Sequence, residues 1–195
     1  MERSLKNKIL IECAIMVGLA TVLSLIKIYE APLGGSVTLL SMLPIIVISF
    51  RRGVSWGLGS AFVYSILQIL TGLNTIAYAA TTMGIVGTVI FDYILPFTII
   101  GLAGIFYKGG QKGKMLIVSI LAGTFFVLVL RYASHVFSGA IIWYELTKEQ
   151  EWNEYVSTVG RWTYTLVYNI AYMGPEAALT LAASPIIIKL KDILR

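Results

Sequence analysis

The chain has 195 residues, of which 57% are hydrophobic and only 13% charged, with a mean hydropathy of +0.83. Soluble domains average roughly 45–50% apolar and about 25% charged residues, so this composition excludes a disordered chain and an ordinary soluble globule. The net charge of +5 is no nucleic-acid footprint, because the basic residues form short clusters between long apolar runs and not a wettable face. A single cysteine, Cys13, excludes a disulfide framework and a multi-cysteine metal site. What remains is an integral membrane protein folded as a single domain over 1–195.

A helical span needs about 20 mostly apolar residues. Six stretches qualify or nearly so: 8–27, 37–50, 54–72, 81–106, 115–144 and 163–188. Arg3, Lys6 and Lys8 precede the first, but its apolar run exceeds a signal-peptide core and no small-x-small cleavage site follows, so it reads as a retained helix. The second is short and carries Pro44, which predicts a tilted or broken element. The fifth is longer than a bilayer requires and is expected to project beyond it. The alternating polarity of outer-membrane barrel strands is absent.

The connections set the orientation. With the N-terminus inside, the cytoplasmic segments hold 11 basic residues: Arg3, Lys6, Lys8, Arg51, Arg52, Lys108, Lys112, Lys114, Lys189, Lys191 and Arg195. The outer segments hold 3, namely Lys27, Lys148 and Arg161. The positive-inside bias predicts both termini in the cytoplasm of a multi-pass membrane protein. The outer 145–161 segment, with Glu145, Glu149, Glu151, Trp152, Glu154 and Tyr155, suits an interfacial loop or a lid.

Against these spans the polar residues stand out: Asp92 in the fourth, Arg131 and His135 in the fifth, Asn169 and Glu176 in the sixth. Charged groups at mid-membrane cost at least ~2.5–3.5 kcal/mol and mark functional sites or internal pairs. Asp92 lies 16 residues from Lys108 and Arg131 lies 17 from Lys114, which places both about 24–26 Å above the cytoplasmic anchors. His135 and Asn169 reach roughly 30 Å by the same rise. An ion pair between Asp92 and Arg131 is therefore expected. Arg131 and His135, four residues apart, share a helix face, and Trp143 lies eight residues beyond His135. The expected composite is an outward pocket of carboxylate, guanidinium, imidazole, amide and aromatic groups. Such a set can read the donor–acceptor edge of a small heterocycle and stack on a cationic ring. Taken singly, each residue has a plainer reading: an ion pair can be structural, His135 can be a packing residue, and Trp143, Trp152 and Trp162 can be belt anchors. Glu176, only 13 residues from Lys189, reads as a helix–helix polar contact, and Glu12 as a side chain that snorkels to the inner interface.

The first span carries Ala14-x-x-x-Gly18, a small-residue spacing that permits close helix approach in membranes, either within the chain or to a partner. The segment Gly109-Gly110-Gln111-Lys112-Gly113-Lys114 lacks the spacing and the Ser/Thr of a phosphate-binding loop. One His with one Cys makes no zinc site, so no motor and no catalytic centre is visible.

Taken together, these residues resemble the thiamine-specific S components of energy-coupling factor (ECF) vitamin transporters. The likeness runs over most of the chain. It is carried by Leu43-Pro44-Ile45-Ile46 leading to Arg51-Arg52-Gly53; by Asp92-Tyr93 leading to Gly101-Leu102-Ala103-Gly104-Ile105-Phe106; by Arg131-Tyr132-Ala133-Ser134-His135-Val136-Phe137-Ser138-Gly139 ending at Trp143; and by Tyr164 to Asn169. The resemblance implies an all-α bundle of six transmembrane helices holding one thiamine near the outer side, with no catalytic residue and no cofactor. It implies that Asp92 and Tyr93 bind the aminopyrimidine, that His135, Trp143, Tyr164 and Asn169 line the pocket, and that Arg131 supports the acidic residue. It further implies that Ala14 and Gly18 dock on a transmembrane T component, with two cytoplasmic ATPases supplying the energy. Two positions depart from the family pattern: Asp92 stands where Glu is typical, and the Tyr29–Thr38 segment has no Trp. A related heterocycle, such as hydroxymethylpyrimidine or a vitamin B6 form, is the second ligand class. A self-sufficient secondary transporter is the second mechanism, although no inverted repeat of the kind common there is evident.

Overall fold

A computed structural model describes residues 2–32, 34–148 and 154–193. Glu149, Glu151, Trp152 and Arg195, and the side chains of Glu154, Tyr155 and Lys191, lie outside the described residues.

Five helical stretches among the described residues are long and apolar enough to cross a membrane: Arg3–Leu25, Val54–Thr71, Thr82–Phe106, Gly113–Thr147 and Arg161–Leu190. Each falls within a few residues of its expected span. The first is α1 (Glu2–Leu25) and the second is α3 (Val54–Thr71). Between α3 and the next span lies a single turn, α4 (Leu73–Ala77).

The third span is composite. It opens as α5 (Thr82–Thr88), capped by the Thr81 side chain accepting from the Gly84 N–H. It widens into a π-helical turn over Val89–Ile94, continues as α6 (Leu95–Ile99) and tightens to a 3₁₀ segment over Ile100–Phe106. Pro96 explains the widening. A helix-interior proline has no N–H and its ring collides with the carbonyl four residues back, here that of Asp92. The chain relieves the collision with an i→i+5 turn, in which Leu95 N–H donates to Ile90 O.

The fourth span is α7 (Gly113–Ser138), a second π turn over Gly139–Trp143, and α8 (Tyr144–Thr147). Its 35 residues rise about 52 Å, well past a hydrocarbon core of about 30 Å. A short α9 (Glu154–Val159) leads into α10 (Arg161–Ala183), a 3₁₀ turn over Ser184–Ile186, and α11 (Ile187–Ile193).

The expected span at 37–50 is not one helix. Lys27–Glu30 (β1) and Ser36–Thr38 (β2) pair as an antiparallel hairpin, and only Leu43–Arg52 is helical (α2). Pro44 sits in the first turn of α2, where its missing N–H costs nothing. Every residue from Pro44 to Phe50 is buried, because α1, α3, the 3₁₀ segment and α11 surround this helix. That explains why the sequence here is apolar without a helical period. Gly53 joins α2 to α3 with φ +91, a conformation that disfavours any residue with a Cβ.

Close backbone approach holds this core. Ser49, in α2, donates to Gly101 O at 2.6 Å and accepts from Gly104 N–H at 2.8 Å, tying the central helix to the 3₁₀ segment. A Cβ on Gly101 would lie 2.5 Å from the backbone of Gly57 in α3. At the end of the bundle that holds Arg51 and Arg52, Glu12 does not snorkel alone. It pairs with Arg51 Nε at 3.0 Å and with the Arg52 guanidinium, fastening α1 to the end of α2.

A Cβ on Gly123 in α7 would overlap the Ala103 carbonyl oxygen, whereas Gly18 has open space around it. Gly123→Ala is therefore expected to force α7 off the 3₁₀ segment at a cost of about 1–3 kcal/mol, as other overpacked cores do. The thermal midpoint in detergent should fall, while Gly18→Ala leaves it unchanged.

Candidate functional site

A cavity of about 200 Å³ lies among α1, α3, the Asp92 turn, α7 and α10, with Lys27, Glu30 and Gly34–Ser36 of the hairpin contributing to its wall. Asp92, Tyr93, Arg131, His135, Trp143, Tyr164 and Asn169 all line it.

Asp92 is the most heavily bonded of them. His135 Nδ1 lies 3.0 Å from its Oδ1, while Ser138 Oγ and Trp143 Nε1 donate to its Oδ2 at 2.5 and 2.8 Å. All three donors come from one stretch, 135–143. In a regular α-helix, eight residues rotate about 80° beyond two full turns, which would swing Trp143 away from the His135 face. The π turn over Gly139–Trp143 takes up one extra residue and reduces the offset to about 20°. Both side chains then reach the same carboxylate. An ionised carboxylate offers about four acceptor sites. Three are filled, and the fourth, on Oδ1, is left for something in the cavity. Because a carboxylate only accepts, His135 carries its proton on Nδ1. His135 Nε2 is buried with no hydrogen-bond partner among the described residues.

The expected Asp92–Arg131 ion pair is not made. Arg131 lies one turn nearer the start of α7 than His135, with Nη1 donating to Met42 Sδ at 2.9 Å and Cζ 4.8 Å from the Phe97 ring centroid. Equal depth along the two helices did not fix the rotation of either, and the π turn over Val89–Ile94 changes the rotation of Asp92. His135, Ser138 and Trp143 take the place expected for the guanidinium.

The wall supplied by α10, which packs against α7, is aromatic. Tyr164, Tyr168 and Tyr172, spaced by four on α10, follow one another with ring centroids 5.7 and 6.0 Å apart. Asn169 is fixed among them: Nδ2 donates to Thr165 O at 2.8 Å and Oδ1 accepts from Tyr172 OH at 2.6 Å. Tyr93 stacks beside Phe97 at 6.4 Å and its hydroxyl reaches Gly72 O at 3.3 Å. Trp162 is 56% exposed and faces outward, as a belt anchor does. Ser138, Tyr168 and Tyr172 were not singled out from the sequence. The i, i+4 tyrosines on the Asn169 helix were the available signal.

The hairpin seats on this wall through α10. Tyr168 OH donates to Gly34 O at 2.9 Å, and a Cβ on Gly35 would lie 2.6 Å from the Tyr172 ring. Glu176 does not bridge two helices as expected. Its carboxylate accepts from Thr38 N–H at 2.6 Å and from Thr38 Oγ1 at 2.7 Å, so it holds a strand of the hairpin. On α1, Ala14 and Gly18 are exposed while Cys13, Val17 and Ala20 pack inward, so the small-residue face looks out of the bundle.

These features define a class: an α-helical, multi-pass membrane protein with a polar and aromatic cavity between its spans. The family model for thiamine transporter proteins (Thia_YuaJ) matches residues 10–194. A Bacillus subtilis (strain 168) protein, thiamine transporter ThiT, is 34% identical over 175 residues, covering 86% of this chain and 83% of that protein. The solved structure of ThiT from Listeria monocytogenes superposes with a TM-score of 0.67 at 27% identity, over 95% of this chain and 93% of the other. The chain belongs to the thiamine transporter family and is a multi-pass cell-membrane protein.

Gly35 has φ +85 as well as the Tyr172 ring against it, so Gly35→Ala should unseat the hairpin. Limited proteolysis is expected to cut within residues 27–38 faster than in the parent, with the helical circular dichroism unchanged.

Proposed function

We propose that the cavity binds thiamine and that the chain is the substrate-binding S component of an ECF-type importer. The observation that carries this is the Asp92 carboxylate, held by three donors yet with one acceptor site left, beside an unpartnered His135 Nε2. In this reading Asp92 accepts from the exocyclic amine of the aminopyrimidine, and Tyr93 borders that ring. Trp143, Tyr164 and His135 flank the ligand's rings, where aromatic faces favour a cationic thiazolium. Asn169, fixed by Thr165 and Tyr172, keeps the tyrosine wall in register. Arg131 acts on the site through its charge and not through contact with Asp92.

Transport needs an energy source that this chain's motifs do not supply. We assign that role to a transmembrane T component and two cytoplasmic ATPases, with both termini on the cytoplasmic side. The outward face of α1, with Ala14 and Gly18 exposed, supports docking there and not internal packing.

Titration of the purified protein with thiamine, hydroxymethylpyrimidine and pyridoxine, read by tryptophan fluorescence, tests the ligand. Asp92→Asn keeps the shape but loses charge-assisted bonding worth about 1.5–3 kcal/mol, so thiamine affinity should fall roughly 10- to 150-fold. Parental affinity in both Asp92→Asn and His135→Ala would overturn the site, and tighter binding of either other compound would reassign the ligand.

Gly18→Leu is expected to abolish cellular thiamine uptake while purified protein binds thiamine as before. Loss of binding together with uptake would argue against a docking face.

A further inference from the structure

Arg131 is a buried charge whose donors the fold leaves unfilled. It is 8% exposed and lines the cavity. A guanidinium is charged at any ordinary pH and carries five N–H donors and no acceptor. Here Nη1 donates to a thioether, Met42 Sδ, and the group lies over the Phe97 ring, so neither contact carries a negative charge. Nε is buried with no hydrogen-bond partner among the described residues. Nη2 bonds to none of them either, but it is not enclosed and opens on the cavity. Among the described residues no carboxylate oxygen lies within 4.0 Å of the guanidinium.

A buried charge is costly unless it is paired, and the protein's own anions are engaged elsewhere. Glu176 is not part of the cavity lining, and its carboxylate bonds to Thr38. Glu30 is closed on Lys27 at 2.5 Å. Asp92 is held by His135, Ser138 and Trp143, and its remaining acceptor site goes to the ligand's amine in the function proposed above. With Asp92 ionised and His135 neutral, the charges that line the cavity cancel. A singly cationic ligand therefore leaves the loaded chamber positive, and Arg131 is the cation with open donors. Water can fill those donors, but it cannot remove the charge.

We propose that the Arg131 guanidinium holds a small monovalent anion of the halide class in the cavity, and that this anion and the cationic ligand bind together. This rests on the reading of the cavity as a thiamine site. The surroundings set the class. A thioether and an aromatic ring offer an anion no hydrogen bonds, so a divalent oxyanion would lose more hydration than one guanidinium returns. A halide loses far less. At about 6–8 Å and an effective dielectric of about 20, opposite unit charges couple by a factor of roughly 30 to 100 before dehydration of the anion is subtracted. The coupling is mutual, so the ligand raises the affinity for the anion by the same factor.

The test titrates purified full-length protein with thiamine in chloride and in gluconate, an anion too bulky for the niche, at equal ionic strength. Parental affinity should be at least about tenfold higher in chloride, and bromide should replace chloride. In Arg131→Gln the affinity should be the same in both salts. Equal parental affinity in both salts overturns the proposal and leaves the guanidinium to water or to a ring nitrogen of the ligand. A chloride effect that survives in Arg131→Gln also overturns it, because the anion then acts elsewhere. If Arg131→Gln does not fold, anomalous scattering from crystals of the parental protein grown in bromide with thiamine decides. A bromide peak within hydrogen-bond distance of Nη2 supports the site, and its absence overturns it. A parental protein that binds thiamine in neither salt overturns the thiamine reading. A bromide peak at Nη2 would then keep the anion site, and no peak would overturn both.

Discussion

A carboxylate placed between membrane helices must find donors or be expelled, and much of the outer half of this bundle follows from how Asp92 finds them. Isolated charge in a low-dielectric medium costs several kcal/mol even after relaxation, so the three bonds from His135, Ser138 and Trp143 are a condition of the fold as well as a feature of the site. Regular α-helices would not deliver all three. The turn that carries Asp92 is widened by Pro96, and the turn that carries Trp143 is widened next to Gly139. Gly139 also lets α10 approach, since a Cβ there would stand 3.0 Å from Thr165. One irregular turn presents the carboxylate, and the other brings Trp143 round to join His135 and Ser138 of α7 as its donors.

The α10 face opposite is organised by a period of four. Tyr164, Tyr168, Tyr172 and Glu176 follow one another down the helix, and successive members meet the cavity, Gly34, Gly35 and Thr38. One helix face thereby builds the aromatic wall and fastens the hairpin beside it. The hairpin needs this support, because an isolated two-stranded ribbon is marginal at best. The glycines at 34 and 35, both at positive φ, let its tip lie flat against the tyrosine rings.

Much of this was legible from residue order. Five spans were visible because a bilayer demands about 20 apolar residues in a row. Tyr93 was reached only through the family resemblance, whereas Asp92, Arg131, His135 and Asn169 of the cavity lining were visible because polar groups in such runs are expensive. Three things were not. The last residues of the hairpin and α2 share the apolar stretch 37–50, and the burial of α2 on every side erases the periodicity that separates strand from helix. The partner of Asp92 was misassigned because rise per residue gives depth but not azimuth, and a single π turn rotates everything beyond it by about 100°. The role of Glu176 was misjudged because its partner, Thr38, is distant in sequence and belongs to a strand that was not foreseen. Ser138, by contrast, was within reach: it lies three residues past His135 on a helix already identified as functional.

The brevity of α2 has an architectural consequence. Its ten residues rise about 15 Å, half of a hydrocarbon core of about 30 Å, and Met42 at its head touches Arg131 at the bottom of the cavity. The void above it is the missing half of a sixth column. A membrane bundle cannot easily open a hole by unwinding a helix, because freed peptide groups in lipid have nothing to bond to. Truncating one column and roofing the gap with a self-paired ribbon leaves the helical backbones satisfied and still yields a chamber. Chambers made this way change capacity in increments of one helical turn, about 5.4 Å. A stroke of that size, added or removed at the head of α2, would alter what fits inside far more than any single side chain on the walls.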